Sequence, residues 1–154
     1  MANATPYLLD TNVVLCATRK DSPVSVAVDA QFGLGQSPFR PAICEVTVAE
    51  LWAFTQSEKW GEKRKQLLEA TIEQLLVIPI SRREIHRRWS ELYSHARASG
   101  LAIQADHNDV WIAATAYVAG LKLISADAKA YLPLRGTPWL DVDVIDAKTG
   151  MLLP

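Results

Sequence analysis

A chain of 154 residues, 49% hydrophobic and 21% charged, is long enough to bury a core and too apolar to be disordered, so one domain over residues 1–154 is expected. No apolar run reaches the ~20 residues of a membrane span, and no basic-then-apolar leader opens the chain. Two cysteines, Cys16 and Cys44, are too few for a disulfide framework and lack CxxC spacing, which points to a reduced cytoplasmic location, while a net charge of -1 leaves any nucleic-acid contact to local patches.

Tyr7-Leu8-Leu9 predicts a short strand closing at Asp10, with Asp10, Thr11 or Asn12 capping a helix that runs on through Ala17. Taken alone, Asp10 reads equally well as a plain N-cap. After the polar break Arg19 to Pro23, Ser22 as N-cap and Pro23 as first helical residue predict a second helix to about Phe32. Gly33 to Pro41 reads as a loop and Ala42-Ile43-Cys44 as a strand, with Cys44 a small buried hydrophobe. Glu45 to Glu58 reads as a helix whose apolar face is Val46, Ala49, Trp52 and Ala53, leaving Glu50 at the margin of buried surface.

Glu62 to Leu76 predicts a helix with a basic start (Lys59, Lys63, Arg64, Lys65), and Leu75 to Ile80 a buried strand. Ser81, with Glu84 three residues on, has capping-box spacing for a helix that carries Arg82, Arg83, Arg87 and Arg88 and ends near Ser99.

Ile103 to Asp127 is the stretch around which the rest is organised. Val110 to Ala119 is apolar almost all round, so this helix should be buried. Gly120 stands where a helix ends, and Leu121 to Ser125 fits a strand that leads to Asp127. Ala128 to Leu132 makes a partial turn, Pro133 to Pro138 a loop, and Val142 to Ile145 the last strand. Helices alternating with strands predict an α/β fold with a central parallel sheet.

Four acids then share one topological position: Asp10 after the first strand, Glu50 on the helix after the second, Asp109 at a helix start, and Asp127 after the fourth strand. Parallel strands would bring all four to one edge of the sheet, where α/β proteins build their sites. Clustered carboxylates repel, and burying them uncompensated is costly. A divalent cation removes that conflict, and oxygen-only donors favour Mg²⁺ or Mn²⁺ over Zn²⁺. Such an ion suits a phosphate substrate.

These segments, YLLDTNVVL, TVAELW, NDVWIAATA and LISAD, resemble the PIN-domain ribonucleases, in particular the VapC-type toxins of bacterial toxin–antitoxin pairs. The resemblance spans essentially the whole chain and rests on the order of the acids rather than on any one motif. It implies a PIN-like three-layer fold, a sheet of about five parallel strands flanked by helices. The implied activity is hydrolytic cleavage of RNA phosphodiester bonds with Mg²⁺ (or Mn²⁺), leaving 5′-phosphate and 3′-hydroxyl ends. Asp10, Glu50, Asp109 and Asp127 would be the catalytic, metal-holding acids. Asn12 would help order the first acid, and Ser125 stands where the family usually has Thr. The implied partners are an RNA substrate, a cognate antitoxin and a second copy of the chain, with no membrane.

Two other readings remain on the sequence alone: a PIN-fold nuclease with a housekeeping role in RNA processing, and a catalytically idle PIN-fold binding module. A phosphoryl-accepting enzyme fits poorly, because Asn12, Thr11 and Ser125 stand where its second acid, paired acid or late-strand lysine would be required. Asp106 reads as an N-cap and His107 as a polar helix-start residue rather than a base. Lys59 to Lys65 and Arg82 to Arg88 are candidate phosphate contacts, or solvated faces or protein-contact surfaces. Trp52, Trp60, Trp89, Trp111 and Trp139 read as core or interface.

Overall fold

The computed structural model describes residues 4–19 and 22–154. Readings made above on Met1–Asn3, Lys20 and Asp21 lie outside the described residues. In chain order the elements are β1 (Tyr7–Leu9), α1 (Thr11–Ala17), α2 (Pro23–Phe32), β2 (Ala42–Cys44), α3 (Glu45–Ser57), α4 (Glu62–Glu73), β3 (Leu76–Ile78), α5 (Arg83–Ala98), α6 (His107–Ala119), β4 (Lys122–Ser125), α7 (Ala128–Tyr131) and β5 (Val142–Val144). The strands form one sheet in the order β3-β2-β1-β4-β5, and every pairing is parallel.

That order contains a switch point. From β1 the chain progresses outward through β2 to β3, then returns to place β4 on the other side of β1 and β5 beyond it. The crossovers from β1 and β4 diverge there, which opens a crevice at the carboxyl ends of those two strands.

Alternation along the short strands sends neighbouring residues to opposite faces. Leu8, Leu123, Val142 and Val144 pack with Leu92 and Ala96 of α5, Val110, Ala113 and Ala116 of α6, and Tyr131 of α7. Leu9, Ile43 and Ile124 pack with Val13 and Val14 of α1, Val24 and Val28 of α2, Leu51 of α3 and Leu68 of α4. The result is three layers, with a helical layer on each face of the sheet.

The local signals for helix ends hold. Asp10 caps α1, Ser22 accepts from the Ser25 amide ahead of Pro23, and Gly120 closes α6 with φ +68°, a left-handed conformation that favours glycine. Among the described residues no helix is long and apolar enough to cross a membrane.

Four expectations are corrected. The buried face of α3 is Thr47, Leu51 and Thr55, whereas Ala49 and Ala53 are exposed. The threonines tolerate burial because their hydroxyls find partners: Thr55 donates to the Trp52 carbonyl at 2.8 Å, and Thr47 meets Thr11 at 3.2 Å. β3 is apolar but not buried, because it is the sheet's edge, and Leu76 is 53% exposed. Ser81 does not cap α5: it lies in a turn, and Arg82 occupies the N-cap without a side-chain hydrogen bond. In α6, Tyr117 faces outward beneath the Arg88 guanidinium, 3.5 Å from the ring centre, while Val110 and Ile112 to Ala116 are buried as expected.

Candidate active site

Asp10 leaves β1 at the switch point, its amide donating to the Ile124 carbonyl of β4 at 2.9 Å. Its side chain is 4% exposed, and both carboxylate oxygens are engaged. The Thr11 amide donates to Oδ1 at 2.8 Å and the Ser125 hydroxyl to Oδ2 at 2.6 Å. Burial raises the Asp10 pKa to about 6. The hydrogen bonds from Ser125 and Thr11 oppose the rise, and the charges of Glu50 and Asp127 add to it.

Ser125, at the end of β4, also accepts from the Asp127 amide at 2.9 Å, so one hydroxyl ties the first acid to the backbone of the last. Asp127 caps the short α7, accepting from the Ala130 amide at 3.0 Å. The ordering role expected of Asn12 falls to Ser125 and the Thr11 amide. Asn12 instead accepts from the Ala126 amide at 3.2 Å and fixes the turn that follows β4.

Glu50 reaches the same crevice from α3. Thr11 Oγ1 donates to its Oε1 at 2.7 Å, and Asn108 Nδ2 to its Oε2 at 3.3 Å. Asp109 arrives from the first turn of α6, behind an N-cap in which Asp106 accepts from the Asn108 amide at 2.9 Å. The helix N-terminus favours an anion at that position, but its surroundings dominate. Partial burial, then the charges of Asp10, Asp106, Asp127 and Glu50, raise the Asp109 pKa to about 8. Tyr131 lies fully buried beneath, its hydroxyl donating to the Asp109 carbonyl at 3.2 Å. Burial, then the charges of Asp10, Asp109, Asp127 and Glu50, push its pKa well above the ordinary value, so the phenol stays protonated.

All four sequence-predicted acids therefore lie within one another's field at the carboxyl edge of the sheet. A cleft of about 190 Å³ opens there, lined by Asp106, Asp109, Asp127 and Lys129 among others. A larger cavity of about 450 Å³ between α1 and α2 is apolar and contains none of the four. Among the described residues no three Asp, Glu, His or Cys groups stand at metal-ligating separations. The donor chemistry nevertheless fits a hard divalent cation, because carboxylates line the cleft and neither thiol nor imidazole does.

Other candidates are placed elsewhere. Asp106 is the N-cap as expected, and His107 turns to α5, its ring edge-on to Trp89 and Tyr93 at 5.6 and 5.2 Å. Arg88 is not a free cation: its side chain is 11% exposed, donates to the Trp139 carbonyl at 2.7 Å and pairs with Glu91 at 3.5 Å. Arg64 lies over Trp60 at 3.6 Å, and Lys65 pairs with Glu62 at 3.6 Å. Arg83 and Arg87 are exposed. Trp60 is buried, and the other four tryptophans are half-buried.

Thr11, Thr47 and Asn108 are the functional-site residues that sequence reasoning missed. The one available signal was Thr47, a helical turn before Glu50 on the same helix face.

Comparison with curated proteins returns no match. Among solved structures the chain is similar to VapBC2 from Rickettsia felis bound to a DNA fragment from their promoter, with a TM-score of 0.72, 23% identity, and coverage of 92% of this chain and 100% of that one. It is similar to VapBC-1 from nontypeable Haemophilus influenzae (TM-score 0.71, 20% identity, 91% and 98% coverage). A third is VapBC-5 from Mycobacterium tuberculosis, of the VapBC family of toxin-antitoxin systems (TM-score 0.65, 24% identity, 92% and 99% coverage). At these identities the likeness is one of fold. The PIN-domain sequence pattern matches residues 7–132, from the first strand through all four acids, and the chain belongs to the PIN-domain family.

Proposed function

We propose that this protein is a metal-dependent endoribonuclease, the toxin of a toxin–antitoxin pair, acting as a single cytoplasmic domain over residues 1–154. The observation that carries the reading is the convergence of Asp10, Glu50, Asp109 and Asp127 at the switch point, with Asp109 raised to about 8 by burial and its acidic neighbours. Such an arrangement is costly unless a cation shares it.

In this reading Asp10, Asp109 and Asp127 hold Mg²⁺ (or Mn²⁺), and Glu50 completes the set. The ion supplies Lewis-acid polarisation of the scissile phosphoryl group and a more acidic water. The protein's own part is positional. Ser125 and the Thr11 amide keep Asp10 oriented and favour its charged form, the α7 cap fixes Asp127, and the α6 N-terminus presents Asp109. The carboxylates hold water and cation and are not themselves the nucleophile. Cleavage leaves 5′-phosphate and 3′-hydroxyl ends. The toxin assignment draws on the VapBC complexes among the structural relatives, which pair a toxin with an antitoxin.

The test is cleavage of a mixed RNA pool by purified, partner-free protein with Mg²⁺ or Mn²⁺, beside Asp109→Asn and an EDTA-treated sample. Metal-dependent cleavage that the variant loses supports the reading. Cleavage that persists in both controls overturns it. Wild-type protein that binds Mn²⁺ but leaves every RNA intact favours a PIN-fold binding module.

A further inference from the structure

Glu50 is the one acid of the four whose two carboxylate oxygens are each held by a side chain from a different helix: Thr11 of α1 on Oε1 and Asn108 of α6 on Oε2. All of these donors are neutral, and among the described residues no Lys or Arg pairs with Glu50. A hydroxyl has a single proton. Given to Glu50, it leaves the Thr11 oxygen to accept from Thr47, which is completely buried 3.2 Å away. The carboxylate is thus oriented by neutral dipoles, which do not offset its charge. A salt bridge would orient it too, but would offset that charge.

Asn108 occupies a second role by position. It is the second residue of α6 and the immediate neighbour of Asp109, so the turn that presents Asp109 also grips Glu50. We propose that Asn108 is a positioning residue that locks Glu50 to the α6 N-terminus and keeps the two acids in register, with Thr47 supporting the opposite oxygen through Thr11. The inference rests on the reading of this cleft as a metal-dependent nuclease site. Outer hydrogen bonds to carboxylates around a metal typically govern ten- to a hundred-fold of affinity or activity.

Asn108→Asp separates this role from a merely structural one. The substitution keeps the shape, and a carboxylate in the first turn suits the helix dipole, so α6 itself should tolerate it. It cannot donate to Glu50, however, and it repels it. The expected result is a melting temperature in Mg²⁺ close to wild type and kcat lower by roughly tenfold or more, with KM for RNA changed far less, because the role proposed for Asn108 is to hold Glu50 and not to bind RNA. Asn108→Ala adds a readout independent of turnover: calorimetric Mn²⁺ affinity should fall by roughly tenfold. Wild-type kcat and Mn²⁺ affinity in both variants would overturn the inference. If wild-type protein binds Mn²⁺ but cleaves nothing in the pool, the Asn108→Ala titration alone decides. If wild-type protein binds no Mn²⁺, the reading of the site itself fails, and this inference with it.

Discussion

Ser125 Oγ and Asp10 Oδ2 stand 2.6 Å apart, joining the ends of two adjacent parallel strands through the most buried acid of the site. The bond favours the charged form of a carboxyl that burial has raised to about 6. Ser125→Ala removes it, so the Asp10 pKa should rise further and the acid limb of the pH–rate profile should move to higher pH. We expect about a tenfold loss of cleavage near pH 6.5 and a smaller loss at pH 8, while Ser125→Thr, which keeps the hydroxyl, should retain the wild-type profile. An unshifted profile in Ser125→Ala would remove this role.

Metal binding should release protons. Asp109 at about 8 and Asp10 at about 6 carry protons over part of the neutral range in the metal-free protein, and a cation must displace them. Mn²⁺ affinity should therefore climb from pH 6 to pH 8. Calorimetry in two buffers of different ionisation enthalpy would count the protons released. Asp109→Asn should abolish most of the release along with most of the affinity.

The same shifts set the sign of metal-free stability against pH. The Asp109 pKa is raised on folding from 3.8 to about 8, so between those values the folded state binds more protons than the unfolded. Stability is then fully present at the acid end and declines as pH rises towards 8. Allowing for the partly open cleft, a loss of about 2 kcal/mol is expected, or about 5 °C in melting temperature. Asp109→Asn should flatten the dependence and raise the metal-free melting temperature at pH 8. A melting temperature that rises with pH in wild type would contradict the assignment.

Arg88 should prove structural. Its guanidinium lies between the Tyr117 and Trp139 rings at 3.5 and 4.7 Å and donates to the Pro138 and Trp139 carbonyls, which pins the loop before β5 to α5 and α6. Its Nε is buried with no hydrogen-bond partner among the described residues. Arg88→Ala should cost about 2 kcal/mol in thermal or urea unfolding, and the salt dependence of RNA binding should be unchanged. A flattened salt slope at wild-type stability would return Arg88 to the substrate surface.

Self-association is the simplest to check. Solution scattering of the partner-free protein should give twice the 17.0 kDa chain mass, and a single-chain mass at high concentration would exclude the dimer.

What the sequence revealed, and what it hid, follows from the range of the forces involved. Helix ends at Asp10, Ser22-Pro23 and Gly120 were legible because caps are local chemistry. The four acids were legible through their order along an alternating α/β chain. The inward face of α3 was not, because Thr47 and Thr55 look polar until the partners of their hydroxyls are known, and the partner of Thr47 is on α1. β3 carried an apolar pattern that describes a buried strand, and only the sheet order puts it at the edge. The clamp on Glu50 was least visible, since Thr11 and Asn108 lie 39 and 58 residues from it and nothing in their own neighbourhoods announces the contact.

The reach of the Ser125–Asp10 bond, 115 residues along the chain, bears on how the protein is made. β1 emerges from the ribosome early, yet its flank stays open until β4 has been translated and slots in beside it. Until then Asp10 lacks its hydroxyl partner and Asp127 has not been synthesised. A nascent or truncated chain that stops short of β4 therefore carries no assembled centre, and on the proposed reading cleavage cannot begin until β4 has docked beside β1.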